Sequence, residues 1–146
     1  MNVKKLQLQD LFIGAWVVEQ MEYKQRQSIP MFVSGIFQDG DLYLDFNGNE
    51  GDVWEAKIDD IRGIPITSDN LRYFHFVETE HNTFAMNCEG FQVVVYVADH
   101  QQYKIVKSSI RHNDGGFQYN DNLIFIHQLQ KFVFEATQKP LVLEFQ

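Results

Sequence analysis

The sequence predicts an α+β protein, mostly antiparallel β, that ends in a single amphipathic helix. Stretches with apolar residues at every second position recur along the chain, which is the pattern of half-buried strands. Glycine-containing turns such as Asp39-Gly40 and Glu89-Gly90 separate these stretches, because such pairs readily adopt the positive φ angles of tight hairpins. Helical spacing of apolar residues occurs only near the C-terminus.

Length and composition are those of an ordinary globular chain. The 146 residues are 45% hydrophobic and 22% charged, and they include thirteen Phe, six Tyr and two Trp. This supply of apolar side chains is sufficient for one domain or for two small subdomains that share a core. The single cysteine, Cys88, cannot form an internal disulfide, and the N-terminus lacks the apolar run of a signal peptide. We therefore expect a cytoplasmic protein that does not associate with membranes.

The first 67 residues contain the elements of a small barrel. Short strands are predicted at 15–19, 29–37, 42–46 and 53–57, before a helical turn at 58–61 and the segment Ile64-Pro65-Ile66. The polar stretch 20–28 is predicted to be a loop or an exposed edge, and turns are predicted at 38–41 and 47–51. Short strands joined by tight turns are typical of a barrel of the SH3-like type. We assign residues 1–67 to this subdomain.

Residues 68–146 are predicted to form an antiparallel sheet covered by the C-terminal helix. Strands are predicted at 73–78, 84–88, 91–97 and 103–108, with turns at 80–82 and 89–90 and a loop at 111–119. Asn120 or Asp121 can cap the helix by accepting backbone N–H groups of its first turn. The predicted apolar stripe comprises Phe125, Ile126, Leu129, Phe132, Val133 and Ala136, with Gln128, Gln130, Lys131 and Glu135 largely on the other side and Pro140 beyond the end.

The net charge is −8, from 12 basic and 20 acidic residues. Acids are concentrated in one stretch, where Lys57 is the single basic residue. These acids are Asp39, Asp41, Asp45, Glu50, Asp52, Glu55, Asp59 and Asp60. An acidic surface repels phosphate groups, so the sequence predicts against nucleic acids and anionic membranes as partners. A solvated face that maintains solubility is the common reason for such a stretch.

Three blocks of sequence carry a resemblance. Residues 10–17 (DLFIGAWV) resemble an opening of the form dL-x-iGnwV, and residues 58–67 (IDDIRGIPIT) resemble i-x-x-DI-x-pIpLT. Residues 125–137 (FIHQLQKFVFEAT) resemble a closing block, yvHqLQnlyfalTG-x-eL. Together they resemble a family of small uncharacterised proteins carried by prophages and other mobile elements of Bacteroides-like bacteria. The chain departs from that pattern at Ala15 and at 138–140. The resemblance implies the fold and a mobile-element origin, and it implies no catalytic residue.

No motif in the sequence predicts catalysis or metal binding. Asp45–Glu50 begins like a calcium loop, but Glu50 and Ala56 occupy the positions that require glycine and a bidentate glutamate. None of the five histidines has the spacing that places two imidazoles on one metal. Cys88 falls on an apolar strand face, where cysteine behaves as a small hydrophobe. We therefore predict no catalytic residue, no metal site and no cofactor.

The sequence does predict one functional feature, a binding surface on the barrel. Tyr43 and Asp45 alternate with the apolar residues at 42, 44 and 46, so Tyr43 is predicted to face outward. Exposed aromatic rings beside acids on a small barrel can bind a basic or proline-rich peptide. The candidate binding residues are Tyr43, Asp45, Trp54, Asp39 and Asp41. The alternative is that Trp54, like Trp16, belongs to the core, because tryptophan is mostly buried in proteins.

Three functions stay open at this point. The first is a non-enzymatic interaction module of a mobile element whose acidic surface, Asp39 to Asp60, meets a protein partner. The second is a small hydrolase-like enzyme whose histidine and carboxylate site only the fold could assemble. The third is a nucleic-acid-binding barrel, which the charge disfavours. The lack of catalytic motifs places the first hypothesis ahead and makes an enzyme the less favoured class.

Overall fold

The computed structural model describes residues 6–21, 26–46, 53–99 and 102–146. It is mostly antiparallel β with one main helix, which confirms the predicted fold class. The chain forms two compact units, residues 1–64 with Phe145 and residues 65–144 with Gln146. The predicted turn at 47–51, most of the calcium-like motif and the acids Glu50 and Asp52 lie outside the described residues.

Six strands form the sheet of the first unit. They are β1 (Trp16–Met21), β2 (Arg26–Gln27), β3 (Met31–Ile36), β4 (Asp41–Asp45), β5 (Trp54–Lys57) and β6 (Ile61–Gly63). Short 3₁₀ turns occupy Leu8–Asp10 and Ile58–Asp60, the second where a helical turn is predicted. The order is β2-β1-β3-β4-β5, and β6 returns to pair with β1. Because β1 pairs with both β3 and β6, the sheet curls into a barrel-like form.

The barrel core follows the period-two pattern of the sequence. Leu42 and Leu44 of β4 are fully buried and pack with the inward residues of β1, β3 and β6. The Asp39-Gly40 turn forms as predicted, with Gly40 at φ +93° and Asp39 Oδ1 accepting the Asp41 N–H at 3.0 Å. The polar stretch at 20–28 is not simply a loop, because β1 continues to Met21 and pairs with β2.

Five strands and two helices form the second unit. They are α1 (Ser68–Tyr73), β7 (Val77–Glu80), β8 (Thr83–Cys88), β9 (Phe91–Asp99), β10 (Lys104–His112), β11 (Phe117–Asn120) and α2 (Ile126–Thr137). The strands form an antiparallel meander in the order β11-β10-β9-β8-β7. Asn82 and Gly90 take positive φ at the tight turns, as expected there. Phe84, Val93 and Val95 are fully buried on the core face.

Two predictions for the second unit are wrong. Residues 68–73 form helix α1, with Thr67 Oγ1 accepting the Asn70 N–H at 3.0 Å, and the strand begins only at Val77. The Thr67 cap outweighs the alternation of the aromatic residues that follow it. The region 111–119 is a hairpin rather than a loop, because Gly115 at φ +97° allows the turn that joins β10 to β11.

Helix α2 begins later than predicted. Asn120 Oδ1 accepts from the Asn122 N–H instead of capping the helix. The Gln128 side chain caps the start of the helix instead. Its Oε1 accepts hydrogen bonds from the N–H groups of Ile124 and Phe125 at 3.0 and 3.1 Å. The helix ends at Thr137, and Gln138 follows in the left-handed region at φ 61°.

The buried face of α2 is only partly the predicted one. Leu129 and Val133 are fully buried as predicted, whereas Gln130, predicted to lie on the solvent side, is also buried. Phe132 is half-buried, because the buried arc is centred closer to Val133 than to Phe132. Neither α2 nor any other helix in the described ranges has the length and apolar character needed to cross a bilayer.

Candidate functional site

The outer surface of the β3–β4–β5 meander holds three of the five predicted binding residues. The register places Gly35, Tyr43 and Glu55 in one row, and Tyr43 lies on the face opposite Leu42 and Leu44, as predicted. The turn between β3 and β4 brings Phe37 beside Tyr43, with ring centroids 4.8 Å apart in an edge-to-face arrangement. We call the surface formed by Phe37, Tyr43, Glu55, Asp39 and Asp41 the hairpin face.

The Tyr43 side chain packs over Gly35 on the neighbouring strand. A Cβ added at Gly35 would lie 3.2 Å from Cδ2 and 3.3 Å from Cβ of Tyr43. The tyrosine side chain therefore occupies the space that any other residue at position 35 would fill. This arrangement resembles the known use of an aromatic side chain to cover a glycine on a neighbouring strand.

Carboxylates surround the aromatic pair on the hairpin face. Glu55 lies directly across from Tyr43 and is exposed, and Asp39 is exposed at the turn. Asp41 Oδ1 lies 3.3 Å from Lys57 Nζ in an exposed ion pair, which contributes little stability because water screens it. The face thus has three carboxylates and, beside them, one lysine, which is paired with Asp41.

Asp45 does not belong to this surface. It lies on the same side of β4 as Tyr43 but is only 5% exposed, so the expectation of an exposed acid at this position is wrong. Its strand partner is Phe32, which packs edge-on against Trp16 at 5.4 Å. Aromatic side chains therefore cover the outer side of the sheet at this end. The Asp45 carboxylate accepts the Phe46 N–H at 2.8 Å.

Trp54 lies on a different face from Tyr43. It is opposite Leu44, on the core side of the sheet, at the first position of β5. Its ring is 51% exposed, yet its Nε1 donates a 3.0 Å hydrogen bond to Glu19 Oε1. Trp54 is therefore neither a core residue like Trp16, which is 2% exposed, nor part of the hairpin face.

Sequence reasoning missed Glu19 and Phe37. Glu19 is 5% exposed because it alternates with Val17 on the inward side of β1. That position could have been read from the strand pattern, since residues two apart share a face. Phe37 lies just outside β3, and no periodic signal places its ring against Tyr43.

The chemistry of the remaining titratable groups is limited. In the part of the chain that the structure describes, no three His, Cys, Asp or Glu side chains are arranged to hold a metal ion. Burial raises the pKa of the half-buried Cys88 thiol, which reduces its thiolate fraction and its reactivity. The His112 ring pairs with Gln118 Oε1 at 3.0 Å across the β10–β11 hairpin.

Comparison with protein-family models, with curated proteins and with solved structures found no match to this chain.

Proposed function

We propose that this chain is a non-enzymatic protein-interaction module that binds a basic segment of a partner protein on the hairpin face. The observation that carries the proposal is the Phe37–Tyr43 pair, whose rings are 4.8 Å apart and flanked by Asp39, Asp41 and Glu55. Aromatic faces attract cations, and carboxylates pair with them. An arginine or lysine side chain finds both kinds of group within this one surface.

The fixed geometry of the pair favours this use. Tyr43 packs over Gly35 and against the Phe37 ring, and these contacts reduce the side-chain entropy that it would lose when a ligand binds. The turn at Asp39 and Gly40 is held by hydrogen bonds to the Asp39 side chain and the Phe37 carbonyl. A mobile-element origin, which the sequence resemblance implies, is consistent with a module that meets a host or element-encoded protein.

The enzymatic alternative has less support. The described histidines and carboxylates form no cluster around a shared position, and the pKa of Cys88 is shifted away from reactivity. A hydrolytic site requires a nucleophile or activated water held by such a cluster.

The test is to titrate arginine-rich, lysine-rich and glutamate-rich peptides into the isotope-labelled protein and to follow backbone amide shifts. We expect the basic peptides alone to perturb Phe37, Tyr43 and Glu55. The double variant Asp39→Asn/Asp41→Asn should weaken binding about tenfold or more, because each charged contact is worth roughly 1 kcal/mol or more. Asp41→Asn also releases Lys57, which adds to the effect.

A matched control removes two exposed acids from the second unit, Glu89→Gln/Asp121→Asn, and should leave the affinity unchanged. Equal loss in both double variants would mean that only net charge matters. Shifts centred on other strands would remove the hairpin face from the proposal.

A further inference from the structure

One face of the second sheet carries exposed cationic and aromatic side chains, which differ in character from the rest of this acidic protein. Antiparallel partners on neighbouring strands form rows across the sheet on this side. The middle row runs from Tyr119 through Ser109 and Val94 to Ala85. We call this side of β8–β11 the open face.

From Ser109 to Ala85 the middle row has small side chains, and the rows on either side have longer ones, so we infer that the middle row is the floor of a shallow trough. Val94 and Ala85 are 9% and 8% exposed. With strands about 4.8 Å apart, four strands give the trough a length of about 14 Å. The trough crosses the strands at a right angle and ends at Tyr119, which is 72% exposed.

Each of the two rows beside the middle row carries one cation. Arg111 lies in the row of Phe117 and Gln92, and Lys107 lies in the row of Tyr96 and Thr83. Both cationic side chains are exposed. They are four residues apart on β10, so their Cα atoms are separated by about 13 Å.

No acidic residue occupies the three rows across β8–β11, although the whole chain has a net charge of −8. The nearest acids are Glu80 of β7, beside Thr83, and Asp121, which directly follows β11 at the other end. Among the paired residues of β9–β11, this face carries two cations and no carboxylate.

An aromatic platform lies at the β11 end of the open face. The rings of Phe117 and Tyr119 are 4.5 Å apart, and the Arg111 guanidinium lies 5.5 Å from the centroid of Phe117. Phe117 is 43% exposed, so both rings offer surface for stacking. Flat rings beside cations are the combination that binds single strands, since the rings stack on bases and the cations contact phosphates.

We propose that the open face binds single-stranded nucleic acid, with bases stacked on Tyr119 and Phe117 and phosphates contacting Arg111 and Lys107. A duplex fits less well, because its bases are already stacked and paired and cannot reach the rings. An acidic peptide would use the two cations but leave the aromatic platform without a role. The inference is independent of the hairpin face, which lies on other strands and attracts cations rather than anions.

The experiment measures fluorescence anisotropy of a labelled single strand of about 12 nucleotides, as RNA and as DNA, at about 50 and 200 mM salt. We expect saturable binding that weakens with salt. The variant Lys107→Gln/Arg111→Gln should reduce the slope of log affinity against log salt by about 1.4, because each phosphate contact to a single strand contributes about 0.7. Tyr119→Ala should weaken binding about fivefold or more at both salt concentrations, because stacking does not depend on counterions.

Two controls make the outcome decisive. Lys131→Gln removes an exposed cation from α2 and should change neither affinity nor slope beyond a small general charge effect. A labelled polyglutamate of similar length should bind less well than the oligonucleotide and be insensitive to Tyr119→Ala. The proposal is overturned if the oligonucleotide does not bind at the lower salt, or if polyglutamate competes equally. Binding that survives both open-face variants, with unchanged thermal unfolding, would also overturn it.

Discussion

The Trp54 indole donates a 3.0 Å hydrogen bond to the carboxylate of Glu19, a group that is 5% exposed. The two residues are 35 positions apart and belong to strands that are not neighbours in the sheet order. The bond therefore ties β5 to β1, which no strand pairing joins. A buried carboxylate requires such donors, because its desolvation is costly unless hydrogen bonds replace water.

Replacing Trp54 with Phe should therefore destabilise the protein by about 1–3 kcal/mol, the cost of leaving a buried polar group without one of its donors. Urea unfolding of Trp54→Phe, Glu19→Leu and the double variant gives the coupling free energy between the two side chains. We expect the loss caused by Trp54→Phe to shrink when position 19 is Leu. Equal losses in both backgrounds would show that the bond contributes nothing and that Trp54 acts only by packing.

The sequence could predict which side of a strand a residue takes, but not whether that side is covered. Leu42 and Leu44 were correctly placed in the core by alternation alone. Asp45 has the same parity as Tyr43, yet it is buried because Trp16 and Phe32 come from strands distant in sequence. Trp54 has core parity, at the first position of β5, but is half-exposed. Whether a side chain is covered by others depends on tertiary contacts, which a local sequence pattern does not encode.

The segment from Thr67 to Val77 shows a conflict between two local signals. Its aromatic residues alternate, which favours a strand, while Thr67 followed by Asp69 favours a helix start. The helix forms, and His75 after it adopts φ 69°, although Phe74 and Phe76 are both buried as their alternation predicts. A turn with positive φ at a residue other than glycine is not predictable from alternation.

Helix α2 offers a direct comparison of a buried and an exposed apolar residue. Leu129 is fully buried, whereas Phe134 is 49% exposed on the same helix. Leu129→Asp should cost about 4 kcal/mol or more, because it both empties an apolar site and buries a charge. Phe134→Asp should cost about 1 kcal/mol or less, as expected for a substitution at the surface. Chemical denaturation of the two variants measures the difference, and similar midpoints would contradict the assigned buried face.

Gln128 is predicted to act as the cap of α2. Gln128→Ala removes the acceptor for the Ile124 and Phe125 N–H groups and should lower stability by about 1 kcal/mol, as for other helix-start caps. Lys131→Ala is the control, since its 4.0 Å contact with Glu135 is exposed and alanine favours the helix. Amide hydrogen exchange at the first turn of α2 should increase in Gln128→Ala alone. Unchanged exchange in that variant would show that the first turn does not need the side chain.

The Glu78 carboxyl connects α1 to the second sheet through a pH-dependent interaction. Its pKa lies below the ordinary value of 4.5, first because the Arg72 side chain donates a 3.0 Å hydrogen bond and then because the Asn82 N–H donates another. A carboxyl group with a lowered pKa stabilises the folded state above its unfolded pKa. That contribution is lost as the pH falls through the folded pKa.

Arg72→Gln should consequently raise the pKa of Glu78 toward 4.5 and make unfolding less sensitive to acid below that pH. Both side chains are solvent-accessible, so the effect on stability is small and the pKa itself is the better measure. Carboxyl carbon shifts followed by NMR through the acid range report it directly. Lys57→Gln, which removes a cation from the first unit, should leave the Glu78 titration unchanged. Identical titrations in Arg72→Gln and the unmodified protein would show that the hydrogen bond does not persist in solution.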